Sequence, residues 1–176
     1  MITVNQSAFV KKRNILDNFV FVRSAARALH KGKHPSALLK IDIAKAFDTV
    51  AWPFLLEVLQ QFGFGPRWRE WIAIILRSSS SRLLLNGAPG RPIQHKRGLR
   101  QGDPLSPMLF ILIMEVLNRL FVLADSSGAL QPLPIPTIKY RVSLYADDLI
   151  MFLSPTAQDF CLAKEILSLF GDAPPR

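Results

Sequence analysis

Apolar residues recur at Ile15, Leu16, Phe19, Val20 and Val22 opposite a basic face, and Gly32 follows. This spacing predicts a helix over residues 13–30. Residues 37–43 form a short segment, apolar apart from Lys40 and the Asp42 it carries, and suit a buried strand. Thr49 as a cap and Pro53 in a first turn predict a helix to Phe62. After a break at 63–66, a helix is expected over 66–77 with Trp68, Trp71, Ile72 and Ile75 on one side. A polar turn at 78–81 precedes two short strands, 82–86 and 92–95, joined as a hairpin through 87–90. Residues 98–102 read as a loop. The longest helix, 104–123, is apolar on nearly every side and is therefore expected to be central. Pro132, Pro134 and Pro136 make 125–136 a loop. Strands at 138–145 and 149–153 flank Ala146-Asp147-Asp148 at a bend, and a last helix covers 157–170. There is no internal repeat. The element order lacks strict βαβ alternation, so the expected class is α+β.

Composition narrows the reading. The chain has 176 residues, 49% of them hydrophobic, which suits one ordinary core better than two independent domains. A single cysteine, Cys161, excludes an internal disulfide and reads as a small buried hydrophobe. His30, His34 and His95 have no metal-ligand spacing and read as surface or phosphate-side residues. Trp52, Trp68 and Trp71 read as core. The longest apolar run, 108–117, is interrupted by Glu115 and is too short to span a bilayer. The N-terminus lacks a basic, then apolar, leader pattern, so nucleus or cytoplasm is expected rather than secretion.

Charge points to a partner. The formal net charge is +9, and it is unevenly distributed. Residues 11–40 and 67–100 each carry a net of +7, while 41–66 carry −2 and 101–176 carry −3. Such basic blocks favour a polyanion, nucleic acid first. The acidic residues Asp42, Asp147 and Asp148 lie inside strongly apolar segments. Carboxylates there are costly unless paired or bound to metal. If the strand ending in Asp42 lies beside the Asp147-Asp148 bend, three carboxylates meet. Two magnesium ions are the usual resolution of that repulsion.

Three stretches carry a resemblance. Residues 39–50, Leu39-Lys-Ile-Asp42-Ile-Ala-Lys-Ala-Phe47-Asp48-Thr-Val50, resemble motif A of reverse transcriptases. Residues 97–110, which include Gln101-Gly102-Asp103-Pro104, resemble motif B. Residues 143–152, with Tyr145-Ala146-Asp147-Asp148, resemble motif C. Gln6, Phe9 and Arg13 are similar to the Gln…Phe…Arg signature of an earlier fingers motif. The spelling is similar to that of non-LTR, long interspersed element type retrotransposon polymerases, over nearly the whole chain.

The resemblance implies the fingers and palm of a right-hand polymerase, the palm a ferredoxin-like antiparallel sheet backed by helices. Fingers would cover 1–36 and 50–101, and palm 37–49 and 102–171. It implies RNA-directed DNA synthesis from an RNA template, a DNA primer and deoxynucleoside triphosphates. It also implies two Mg2+ ions, with Mn2+ as a substitute. Asp42, Asp147 and Asp148 match the catalytic carboxylates and metal ligands, and Ile43 would lend a backbone carbonyl. Phe47 matches the residue that excludes a ribose 2′-OH, with ordinary core as the alternative. Gln101 and Gly102 match a loop that contacts nucleotide and template, with a plain helix-entry turn as the alternative. Arg13 is expected to hold the triphosphate, and Tyr145 to pack with hydroxyl access to substrate. Family members continue beyond a segment like 169–173 into a lysine motif, a primer grip and a thumb. The chain therefore reads as a fragment without a thumb, inactive alone unless another chain supplies one. No membrane partner is expected. The rival from another class is a non-catalytic nucleic-acid-binding remnant of a retroelement. A maturase-like protein is a weaker rival.

Overall fold

In the computed structural model, which describes residues 2–135 and 138–171, helices and small antiparallel sheets form two compact units. Of the described residues, the first unit comprises 2–44 and 107–171, and the second 45–106.

The first unit opens with a loop and α1 (Ile15–Lys31). The helix starts where Asn14 accepts from the Leu16 amide and Asp17 accepts from the Asn14 amide, at 3.1 and 3.2 Å. Two of the four orphan amides are thereby satisfied, and an acid sits in the first turn. Strand β1 (Ala37–Asp42) follows, alternately half-buried and exposed.

The second unit holds α2 (Ala46–Thr49), α3 (Trp52–Gln61) and α4 (Pro66–Arg77). Its buried residues include Leu55, Val58, Leu59, Ile72 and Leu76. Strands β2 (Ser80–Ser81), β3 (Leu84–Leu85), β4 (Ala88–Pro89) and β5 (Ile93–Gln94) then form two nested pairs, β2 with β5 and β3 with β4. The pairing differs from the expected hairpin: residues 84–85 pair with 88–89, inside the expected connection, and 93–94 pair with 80–81, inside the expected polar turn. Thr49 lies inside the short helix α2, and Ala51 precedes α3. Trp71 is exposed rather than core, with the Arg67 guanidinium 5.0 Å above its ring.

The chain returns to the first unit with α5 (Ser106–Ser126), then β6 (Val142–Tyr145), β7 (Asp148–Leu153) and α6 (Ala157–Gly171). By length and composition alone α5 could cross a membrane. It is instead the core helix, with Leu109, Phe110, Ile113, Met114, Leu117 and Phe121 buried. Its buried polar residues tie down the N-terminal loop. Glu115 accepts from the Thr3 amide and hydroxyl at 3.1 and 2.8 Å, and Asn118 accepts from Asn5 Nδ2 at 2.7 Å.

The three-stranded sheet has the order β1-β7-β6, antiparallel throughout. The loop adds to its β6 edge, because Leu144 donates to Asn5 O and Ser7 donates to Leu144 O, at 2.8 and 3.2 Å. Leu144, Leu149, Met151 and Leu153 are fully buried. On the other face, Phe152 packs with Ala25, Leu29 and Phe21. Cys161 is exposed on α6, contrary to the buried position expected for it. The helix turns Asp159, Ala163 and Ile166 inward instead.

Candidate active site

The carboxylate edge lies in the first unit. Cross-strand register sets Asp42, the last residue of β1, directly opposite Asp148, the first of β7. Tyr145 is opposite Asp148 on its other side. Directly paired residues share a face, so Asp42, Asp148 and Tyr145 form a row across the sheet. Asp147 is the second residue of the two-residue turn between Tyr145 and Asp148. Asp42 is exposed, whereas Asp147 and Asp148 are half-buried. Ile43 follows β1 immediately and is half-buried.

That turn is unusual and braced. Ala146 has a left-handed φ of 52°, which is disfavoured for a residue with a Cβ. Its amide donates to Gln6 Oε1 at 3.2 Å, and the same oxygen accepts from the Ala8 amide at 3.0 Å. Asn18 on α1 donates to Leu144 O and Ser143 Oγ at 2.7 and 2.9 Å. Neither Gln6 nor Asn18 was singled out from the sequence for this part. Gln6 belongs to the Gln…Phe…Arg signature, but its partner lies 140 residues away.

Magnesium takes oxygen ligands, and an all-carboxylate set is of that type. The register brings two of the three expected ligands together and leaves Asp147 on the adjoining turn. Among the described residues, no three His, Cys, Asp or Glu side chains are gathered closely enough to hold an ion. Asp148 is instead ion-paired, Oδ1 lying 3.2 Å from the Lys40 ammonium. Arg13 donates to the backbone carbonyls of Thr3, Gln6 and Ile2, the last two at 2.6 and 3.1 Å. Its guanidinium thus closes the N-terminal loop.

In the second unit, Phe47 and the 98–102 loop come together. Leu99 donates to Phe47 O and Gly98 to Val50 O, each at 2.7 Å, and Trp52 Nε1 donates to Gly98 O at 2.8 Å. A Cβ on Gly98 would lie 2.8 Å from Asp48 O, so only glycine permits this approach. Gln101, Arg97, Arg100, His95, Ser81 and Asp48 line an open polar cavity of about 630 Å³. His95 Nε2 is 2.8 Å from Ser81 Oγ. Gly102 has a φ of 89° and no neighbour against the position of a Cβ. Phe47 is half-buried.

A family model described as reverse transcriptase (RNA-dependent DNA polymerase) matches residues 1–172. The chain belongs to the reverse transcriptase family. Among this reverse transcriptase chain's relatives is the transposon TX1 uncharacterized 149 kDa protein of Xenopus laevis, 32% identical over 147 residues. That match covers 84% of the chain and 11% of the frog protein. The Retrovirus-related Pol polyprotein from the type-1 retrotransposable element R2 of Nasonia vitripennis is 32% identical over 155 residues, covering 86% of the chain and 14% of the relative. An uncharacterized mitochondrial protein of Arabidopsis thaliana is 40% identical over 89 residues, covering 49% of the chain and 69% of that protein. The reverse transcriptase chain thus spans a small part of its retrotransposon relatives.

Proposed function

We propose that the chain is part of an RNA-directed DNA polymerase, with the sheet of the first unit as palm and the second unit within the fingers of a right-hand arrangement. The supporting observation is the register that pairs Asp42 with Asp148 beside the Asp147 turn. Family membership supplies the reaction class. Asp42, Asp147 and Asp148, with the carbonyl of Ile43, would hold two divalent ions. When bound, such ions lower the pKa of an attacking primer 3′-OH and stabilise a leaving pyrophosphate.

The chain's own residues do the rest. Tyr145 packs beside the carboxylates, where a primer terminus or nucleotide sugar would lie. Gln101 and Gly102 position nucleotide and template at the loop anchored on Phe47, and Phe47 bars a ribose 2′-OH. Arg97 and Arg100 meet phosphate, with template RNA and DNA primer as the polyanions that account for the two basic blocks. Arg13 is left out, since its guanidinium serves backbone carbonyls.

The test is a chimera in which residues 1–172 replace the matching stretch of a full-length family member. Templated primer extension with Mg2+ is expected, and Asp147→Asn should reduce it on the order of a thousandfold or more. A chimera that binds RNA–DNA duplex with salt-sensitive affinity, yet extends no primer, would instead favour the non-catalytic binding remnant.

A further inference from the structure

Lys40 lies two residues before Asp42 in β1, so the two side chains share a face of the sheet. The register puts Lys40 opposite Ile150 and Asp42 opposite Asp148, so Asp148 is the diagonal neighbour of Lys40. The ammonium spans that diagonal and stops 3.2 Å from Asp148 Oδ1. Lys40 lines a cavity of about 230 Å³ together with Ile15, Phe19 and Val22 of α1 and Ile150 of β7. The head stays in water, the Lys40 side chain being 64% exposed. The cation therefore stands beside the carboxylate row by construction.

We propose that Lys40 is a built-in counter-cation for this row, which a divalent ion must displace from Asp148. The proposal rests on the reading that Asp42, Asp147 and Asp148 hold metal, and it makes Lys40 a positioning residue rather than a ligand. An ammonium and a metal dication compete for the same carboxylate oxygen, and like charges cannot both sit on it without mutual repulsion. Until displaced, Lys40 fixes the Asp148 rotamer and offsets the repulsion between the paired carboxylates of Asp42 and Asp148. After displacement, its ammonium stays within reach of whatever anion the metal brings. Lys40 and Asp148 are 64% and 47% exposed at the side chain, so the competition is modest in size.

The test measures Mn2+ binding to the 176-residue chain by loss of the free-ion paramagnetic resonance signal, without substrate. Lys40→Met should tighten Mn2+ binding by about two- to fivefold, the scale of a half-exposed ion pair. Lys40→Arg keeps the charge and should not tighten it. In an Asp148→Asn background the gain from Lys40→Met should vanish. Unchanged affinity in Lys40→Met overturns the proposal, as does a gain that survives in Asp148→Asn, because the effect is then general charge and not competition for that oxygen. The two readings fail separately. Binding that depends on Asp42 and Asp147 but ignores Lys40→Met removes only the counter-cation. Binding indifferent to Asp42→Asn and Asp147→Asn removes the metal site and the counter-cation together.

Discussion

Two hairpins in this molecule turn through two residues and are held in opposite ways. The β3–β4 pair turns through Asn86-Gly87, with Leu85 opposite Ala88. Both turn residues have positive φ, 51° and 83°, which is what a two-residue hairpin favours and what Asn-Gly adopts readily. That hairpin carries exposed Leu83, Leu84 and Leu85. The β6–β7 pair turns through Ala146-Asp147, a poor turn sequence with a left-handed alanine. It is held from outside by Gln6, by the strand-like pairing of residues 5–7 with Leu144, and by Asn18. The first turn is stable by its own chemistry. The second carries Asp147, leads into the Asp148 that lies opposite Asp42, and relies on distant residues for its shape. Strain held by surrounding structure is a common mark of a functional turn.

The comparison breaks most severely at Gln6. Gln6→Ala leaves the amides of Ala8 and Ala146 without their acceptor, and should lower stability by about 3 kcal/mol in urea unfolding. A loss under about 0.5 kcal/mol would mean that the turn does not depend on the loop. Gly87→Ala comes next. It forces a Cβ onto a φ of 83° in open surroundings and should cost about 1 kcal/mol. The smallest effect has the opposite sign. Ala146→Gly relieves the left-handed strain, less the entropy of a glycine in the unfolded chain, and should stabilise by roughly 0.5 kcal/mol. If Ala146→Gly and Gly87→Ala shift the midpoint in the same direction, backbone strain does not distinguish the two turns.

Local chemistry was readable where it acts locally. The helix that begins after Asn14 follows from cap and periodicity, and the apolar run of α5 from its composition. The pairing of Asp42 with Asp148 meets an expectation raised by acids set within apolar segments and by the resemblance, although the strand order that produces it was only a condition of that reading. Pairing over long sequence distances was not readable. No periodicity marks residues 5–7 as an added strand, because their partner Leu144 is given by the fold alone. The strand expected over 138–145 begins only at Val142, after Arg141 turns inward. The Arg141 Nε lies 2.6 Å from Asp125, and another guanidinium nitrogen donates to Gln131 O. Lys40 read as an interruption in a buried strand. Its i, i+2 spacing from Asp42 was the available signal that it belongs to the carboxylate face.

The anchoring of the N-terminal loop on α5 also sets an order of events during synthesis. Asn5 leaves the ribosome 113 residues before Asn118 and 137 before Val142, the partners that fix it. Contacts of such long separation form late, after the intervening chain has closed into a loop. Meanwhile α5 emerges as an apolar helix of 21 residues before β6 and β7 have been made. A nascent chain at that length presents a surface suited to chaperones or to unwanted self-association. Docking of Thr3 and Asn5 onto Glu115 and Asn118 then satisfies the polar groups of that helix, and residues 3–5 act as a latch on it.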